Sequence, residues 1–435
     1  MKYRNNAQNL IDFIYKGVTP FHVVEEVKSS LKESGFKELQ LNESWNLQKG
    51  EKYFTTRNDS SLFAFITGTE SPAKHGCKII SAHSDSPSFK IKPDAAIGVN
   101  NYYIKFNTET YGGAILSSWF DRPLSMAGRV TMESNNPLNL DKRLVNFKKP
   151  LLIIPNLAIH LNRSVNEGVA IDKQKDLLPL AAIDTDATTS KENYLHQLIA
   201  KELNVDANKI LSYDLTLYEY NKGTTMGVND EFISSPRLDN LAMVHAGLSA
   251  LKSAKADRST QILAIFDNEE VGSLTKQGAD SPLFKNIFSR IVKSYSSDDE
   301  SFYQSVYNSF MISADMAHSI HPNYQEKHDP VLQPVINGGP VIKITANQKY
   351  TTDSESAAIF MALCKKAKVP VQQFVNRSDM AGGSTLGNVL TGQIDIKSVD
   401  IGNAMLAMHS VRELSGVKDH TYLIEVFKEF FCQTK

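Results

Sequence analysis

From Ser234 to Val369 the chain alternates long and short apolar runs, and this alternation restricts the fold more than any other feature. "SSPRLDNLAMVHAGLSALKSA" places apolar residues at helical spacing, "QILAIFD" is a short strand-like run, and "SPLFKNIFSRIVKSY" is helical again. "SFMISADMAH" opens as a strand and "TDSESAAIFMALCKKAKV" closes the series as a helix. Strands alternating with helices predict a mostly parallel sheet covered by helices on both faces. Nearer the N-terminus, "SLFAFITG" and "GCKIISAHSDS" are further sheet-filling runs. Thr19-Pro20 ahead of "FHVVEEVKSSLKESG" reads as a cap, a first-turn proline and a helix closed by Gly35.

Between residues 94 and 231 the texture changes. Short strand-like pieces such as "YYIKFNTETYGG", "AGRVTMES" and "LLIIPNLAIH" are interrupted by the polar "NRSVNEGVAIDKQKD", and Thr189 with Glu192 makes a capping-box pattern ahead of "YLHQLIAKEL". Trp119 and Phe120 are candidates for the core of this part. The expected organisation is a helix-covered sheet from residues 1–93 and 232–435, with a β-rich insertion over 94–231.

The 435 residues suffice for one large domain or two joined ones. The 47 basic side chains nearly cancel 48 acidic ones, which argues against nucleic acid or an anionic membrane as partner. No apolar run approaches the ~20 residues of a membrane span, and "MKYRNNAQNLIDFIYKG" alternates like an amphipathic helix rather than a secretory signal. Cys77, Cys364 and Cys432 are dispersed and lack CxxC spacing, so neither a disulfide framework nor a thiolate zinc site is indicated, and a cytoplasmic home is expected.

In open α/β sheets, ligands gather at the carboxyl ends of the strands. His83 and Asp85 follow "CKIISA", Glu269 and Glu270 follow "QILAIFDN", Asp315 and His318 follow "SFMISA", and His409 follows "DIGNAMLAM". Asp239 falls in the first turn of a helix that Ser235 would cap and Pro236 would open. Singly, each has a bland reading as a cap, a turn residue, a solvated acid or a core histidine. Their coincidence at one sheet edge points instead to a pair of zinc-like ions roughly 3.5–4 Å apart. Asp239 would bridge, His83 and Asp315 would complete one metal, and Glu270 and His409 the other. If residues leaving a strand point in opposite directions, Glu270 binds metal while Glu269 serves as general base for the attacking water. Asp85 would accept the free ring N–H of His83 and fix its tautomer, and Asp267 reads as a turn residue.

The stretches "SAHSDSPSFKIKP", "SSWFDRPLSMAGRV", "SSPRLDNLA", "DNEEVGS", "DMAHSIHPNY", "GGPVIKITANQKY" and "DIGNAMLAMHSVRE" together resemble the aspartyl aminopeptidase family, di-zinc exopeptidases, in order from about residue 18 to 428. The resemblance implies an αβα sandwich catalytic domain interrupted by a β-rich oligomerisation domain. It also implies two Zn2+ per subunit, with Mn2+ or Co2+ able to substitute, on the same five ligands, with Glu269 as base and Asp85 as supporting acid. It lends substrate-binding roles to His160, His318, Lys343 and Tyr350, of which His160 would reach a neighbouring subunit's site. Unaided, Lys343 in "GPVIKITANQ" reads as a solvent-facing strand residue and Tyr350 as a surface aromatic. The glycine-rich "AGGSTLG" over 381–387 lacks the lysine of a phosphate loop and reads as a tight loop approaching the site. The implied protein is a cytoplasmic homo-oligomer, a tetrahedral dodecamer, that releases N-terminal residues, Asp or Glu above others, from peptides. Rival readings are an aminopeptidase preferring apolar or basic N-termini, a di-zinc deacylase, and a non-catalytic shell-forming assembly protein.

Overall fold

The computed structural model describes residues 1–184 and 193–433, so the Thr189–Glu192 capping pattern lies outside the described residues. The described chain divides into two compact units. The first comprises Met1–Asp85, Gly223–Met408 and Glu413–Lys435, and the second Ser86–Lys222 with the short return His409–Arg412.

The first unit is built on a nine-stranded mixed sheet. Its centre is four parallel strands in the order Thr260–Phe266, Cys77–His83, Phe310–Ala314 and Ser398–Gly402. The flanks are mixed: Ser61–Ile66 runs antiparallel to Thr260–Phe266, and Val341–Lys343 runs antiparallel to Ser398–Gly402. The period of two along each central strand feeds two separate cores. Ile80, Ala82, Leu263 and Ile312 face one, where they meet residues of the helices Lys2–Lys16, Pro20–Glu33, Leu238–Ser253, Ser354–Ala367 and Val417–Cys432. Cys77, Ile79, Ile262 and Met311 face the other, against Leu283–Lys293, Glu300–Asn308 and Leu386–Gln393. This is the αβα layering expected of helix-separated strands.

Helix-forming detail follows the sequence closely at two places. Thr19, extended, accepts the His22 N–H, and Pro20 opens the helix Pro20–Glu33. In Leu283–Lys293, Phe284, Ile287, Phe288 and Ile291 recur at i, i+3, i+4 and i+7 and are all buried. At about 1.5–3 kcal/mol for each such side chain, burial of this stripe decides where the helix lies.

The second unit carries a six-stranded antiparallel sheet and the helix Tyr194–Leu203. Trp119 is buried there, edge-on to Phe89 with ring centroids 4.7 Å apart, and Phe120 packs partly buried on the same core. "LLIIPNLAIH" forms no extended strand. Only Leu152 and Ile153 make isolated bridges, because Pro155 removes a ladder donor and the residues beyond it turn outward. The segment His409–Arg412 is held within this unit: the Ile115 N–H donates to the His409 carbonyl, the Val411 N–H to the Ser118 hydroxyl, and Arg412 meets the buried Glu219 at 3.3 Å. Among the described residues no helix is long and apolar enough to cross a membrane.

Candidate metal centre

The carboxyl ends of the central strands deliver the site. His83 is the last residue of its strand, Asp315 follows Phe310–Ala314 directly, and the turn Glu269–Val271 follows Thr260–Phe266 by two residues. Neighbouring backbones lock these ends together, with the Ser84 N–H on the Phe266 carbonyl and the Asp315 N–H on the Ile401 carbonyl.

Glu269 and Glu270 do not leave a strand in alternating directions, as their position suggested. They sit in a 3-10 turn between Asn268 and Gly272, both left-handed, at φ 61° and 94°. Asparagine and glycine tolerate that conformation, and Asn268 is further fixed by the Thr275 hydroxyl and the Gln277 amide on its side-chain oxygen. About 120° separates successive residues of a 3-10 helix, and this divides the two carboxylates. The buried Asp85 carboxylate accepts both backbone N–H groups of this turn, from Glu269 at 3.2 Å and from Glu270 at 3.1 Å. It also lies 3.3 Å from His83 Nδ1, which meets the Asp85 carbonyl at 3.1 Å. Asp267 is a turn residue, buried, whose carboxylate accepts the Asn268 N–H.

Ser235 does not cap the helix that carries Asp239. It ends the strand Phe232–Ser235, and the helix begins at Leu238 behind a left-handed Arg237. Asp239 and Asn240 are non-helical, joined by a cis peptide bond. The Asp239 N–H donates to Glu413 Oε2 at 3.0 Å, and the Asn240 amide donates to the Ala314 carbonyl at 2.9 Å. Neither Glu413 nor Asn240 stands out in the sequence, although both lie inside stretches that carry the family resemblance.

His83 Nε2 lies 3.5 Å from Asp239 Oδ1 and 3.5 Å from Asp315 Oδ1. Donor atoms of His83, Asp239 and Glu270 all fall within 4.8 Å of one another. Two ligands about 2.0–2.1 Å from a tetrahedral zinc ion lie roughly 3.3–3.4 Å apart, so the spacing and the imidazole-carboxylate chemistry both fit zinc. Burial opposes the charged form of His83, but Asp239, Asp315 and Asp85, with Glu269 beyond them, outweigh it and hold the imidazole well above its usual range. The Glu269 carboxyl is raised as well: burial first, and then the charges of Asp315, Asp85 and Asp239, outweigh the pull of His83 and push it up to about 7.

Lys343 is buried, not solvent-facing. Its ammonium contacts Asp315 Oδ2 at 3.1 Å and stands 5.7 Å from the centroid of the Tyr350 ring, itself buried. Burial lowers the Lys343 pKa, but Asp315, Tyr350, Asp400 and Asp239 more than offset this and raise it above the ordinary value. His318 ends the short strand Ala317–His318, its ring centroid 5.8 Å from that of Phe374. Thus His83, Asp85, Asp239, Glu269, Glu270, Asp315 and Lys343 are gathered in the first unit. His409 and His160 belong to the second unit, where His409 has φ 67° and turns Nδ1 to the Gly113 carbonyl at 3.1 Å, and His160 lies exposed in a turn.

An αβα unit with histidine and carboxylate donors at the carboxyl edge of its sheet has the architecture of a metal-dependent enzyme. The Aminopeptidase I zinc metalloprotease (M18) family matches residues 13–431. A Clostridium acetobutylicum relative, "Probable M18 family aminopeptidase 2", is 54% identical over 425 residues, covering 98% of each chain. A Pseudomonas aeruginosa protein of the same description is 42% identical over 429 residues, again covering 98% of each. Among solved structures, the chain titled "Cryo-EM structure of the Ape4 and Nbr1 complex" superposes with a TM-score of 0.95 at 35% identity, over 99% of this chain and 86% of that one. The S. cerevesiae mApe1 dodecamer gives a TM-score of 0.85 at 28% identity, over 99% and 97%. The chain therefore belongs to the M18 family of zinc metallo-aminopeptidases, and is a hydrolase of the exopeptidase kind.

Proposed function

We propose that this aminopeptidase works with Glu269 as its general base and favours peptides with an N-terminal Asp or Glu. The observation that carries the reading is the pairing of a compact His83, Asp239 and Glu270 donor set with a neighbouring Glu269, whose backbone N–H and that of Glu270 are both held by the Asp85 carboxylate. A carboxylate positioned beside the attacking water can accept its proton and later return it. His83, Asp239, Glu270 and Asp315 would hold two zinc ions, with His409 as the remaining ligand that the family resemblance implies. Zinc, when bound, supplies Lewis acidity that polarises a carbonyl and acidifies water near neutral pH. The Glu269 carboxylate takes the proton from the attacking water and delivers it to the departing amine. Asp85 keeps Glu269 and Glu270 aimed apart by holding both of their N–H groups.

The acidic preference is supported by Lys343. One of its three ammonium donors is committed to Asp315, and the others, above the Tyr350 ring, suit a substrate carboxylate that would otherwise lose its hydration unpaired. His318 and Tyr350 would complete the pocket in the same chain, and His160 would serve the pocket of a neighbouring copy. A tetrahedral dodecamer is the assembly we propose, since a similar solved chain is described as a dodecamer. A cytoplasmic location accords with the dispersed cysteines.

Glu269→Gln is expected to lower kcat by about 10²–10⁴-fold, the usual weight of a positioned proton carrier, with zinc content unchanged. Full turnover in that variant removes the base assignment. A panel of N-terminal Asp, Glu, Leu and Lys peptides tests the preference: Asp and Glu should give the highest kcat/KM. A maximum at Leu or Lys instead supports the apolar or basic alternative.

A further inference from the structure

The strand Ser398–Gly402 alternates its side chains between the two cores, and one residue on it is out of keeping with a core. Val399 and Ile401 are apolar and buried, but between them stands Asp400, only 1% exposed. A carboxylate at that depth is costly unless its oxygens are satisfied. Here they are, by donors from two separate loops. Asp400 Oδ2 accepts the Thr351 N–H at 2.6 Å and the Thr351 hydroxyl at 2.9 Å. Oδ1 accepts the Thr385 hydroxyl at 2.7 Å, and the Asp400 N–H donates to the Thr352 hydroxyl at 3.0 Å. A β-carbon on Gly387, in the first turn of the helix Leu386–Gln393, would come within 2.6 Å of the carboxylate, so the close approach of that turn requires a glycine there.

Thr351 and Thr352 directly follow Tyr350, and Asp353 closes the segment by capping the helix Ser354–Ala367 through a capping box. The loop bearing Tyr350 is thus bound at three successive residues, two of them through Asp400. The same strand also holds the metal-site side, because the Ile401 carbonyl accepts the Asp315 N–H. Asp315 in turn binds Lys343, which faces the Tyr350 ring. One strand therefore fixes both ends of the line from Asp315 through Lys343 to Tyr350.

We infer that Asp400 is a positioning residue for substrate binding, setting Tyr350 and the glycine-rich 381–387 loop against Lys343 and Asp315. This rests on the reading of Tyr350 as a substrate contact. A carboxylate accepts on both oxygens and so meets the Thr351 N–H, which can only donate, and both threonine hydroxyls at once, whereas Asn keeps an acceptor on one side only and would have to reverse the bond to Thr385. The 381–387 loop, by this account, is part of the pocket wall and is held there through the Thr385 hydroxyl on Asp400.

The experiment compares Asp400→Asn, Tyr350→Ala and the double variant in the full zinc-loaded enzyme, reading kcat, KM and zinc content on one N-terminal acidic peptide. Asp400→Asn is expected to raise KM about tenfold, with kcat within threefold and zinc content unchanged. In the Tyr350→Ala background the same change should add less than twofold. A purely scaffolding role would lower the amount of active enzyme without this KM-against-kcat split. If Asp400→Asn does not fold, Thr351→Val and Thr385→Val each remove one donor to the carboxylate and should raise KM by about threefold. The inference is overturned if Asp400→Asn leaves KM unchanged while Tyr350→Ala raises it, or if the two effects multiply independently. If Tyr350→Ala itself leaves KM unchanged, the underlying reading of Tyr350 fails, and the inference fails with it.

Discussion

The two ends of the central strands solve the problem of buried charge in opposite ways. At their amino ends, buried Lys78 meets Asp257 at 3.2 Å and the Phe431 carbonyl at 3.0 Å, and Gln261 donates to the Phe431 and Lys255 carbonyls. Positive and negative charge balance there, and the C-terminal helix is pinned to the sheet. At the carboxyl ends, Asp85, Asp239, Glu269, Glu270 and Asp315 surround His83, with Lys343 as the nearby cation. That crowding holds His83 high, and together with burial, the larger cause, it raises Glu269. The balanced end is a structural joint, whereas the acid-rich end has the donor set for added cations and is where we propose zinc binds, and this asymmetry within one sheet distinguishes the two ends more firmly than any single residue.

The contrast can be broken most severely by taking the cations away. Chelation should reduce peptide hydrolysis by at least about 10³-fold, in line with the several kcal/mol that metal ions contribute. Zinc should restore it, and the melting temperature should rise on zinc return because ligand binding favours the folded state. Hydrolysis that survives chelation would place the chemistry elsewhere. A smaller effect is expected from Asp85→Ala, which strips the acceptor from the Glu269 and Glu270 N–H groups. Its kcat/KM should fall about 10–100-fold, the usual cost of losing a group that orients metal ligands, with an unchanged far-ultraviolet circular dichroism spectrum. The balanced end should respond in stability alone. Lys78→Met is expected to cost about 1–2 kcal/mol in urea unfolding, less than the ~3–5 kcal/mol for breaking a fully buried pair, because Asp257 keeps some access to water. Activity per folded molecule should stay within twofold. A specific loss of turnover in that variant would blur the distinction between the two ends.

Features set by local pattern were legible in the sequence. Thr19-Pro20 opened its helix as expected, and the alternation of strands and helices foretold the layered sheet, because periodicity and capping are encoded within a few residues. The antiparallel flanks were not foretold, since strand direction at an edge depends on distant connections. The acids at the carboxyl edge could be found by their position after strands. Their geometry could not: whether Glu269 and Glu270 lie on a strand or in a 3-10 turn depends on Asn268 and Gly272 adopting left-handed backbone, and on Asp85 arriving from another strand to bind both N–H groups. Lys343 looked exposed because it breaks an apolar run, and only the fold brings Asp315 to it. Asp400 was invisible for the same reason, as its donors come from loops 15 and 49 positions away along the chain.

The short return His409–Arg412 changes what kind of insertion the β-rich part is. Chain order makes it look like a cassette, something one could excise at 86–222 and close with a linker. Yet the Ile115 N–H, the Ser118 hydroxyl, the Gly113 carbonyl and Glu219 all bind that return. Excision would strand four residues whose polar groups had been matched by the missing part, and one of them is a histidine. The inserted part and the return are thereby coupled: a change to the groups on one side that hold the other must be matched across some 190 positions of chain or more.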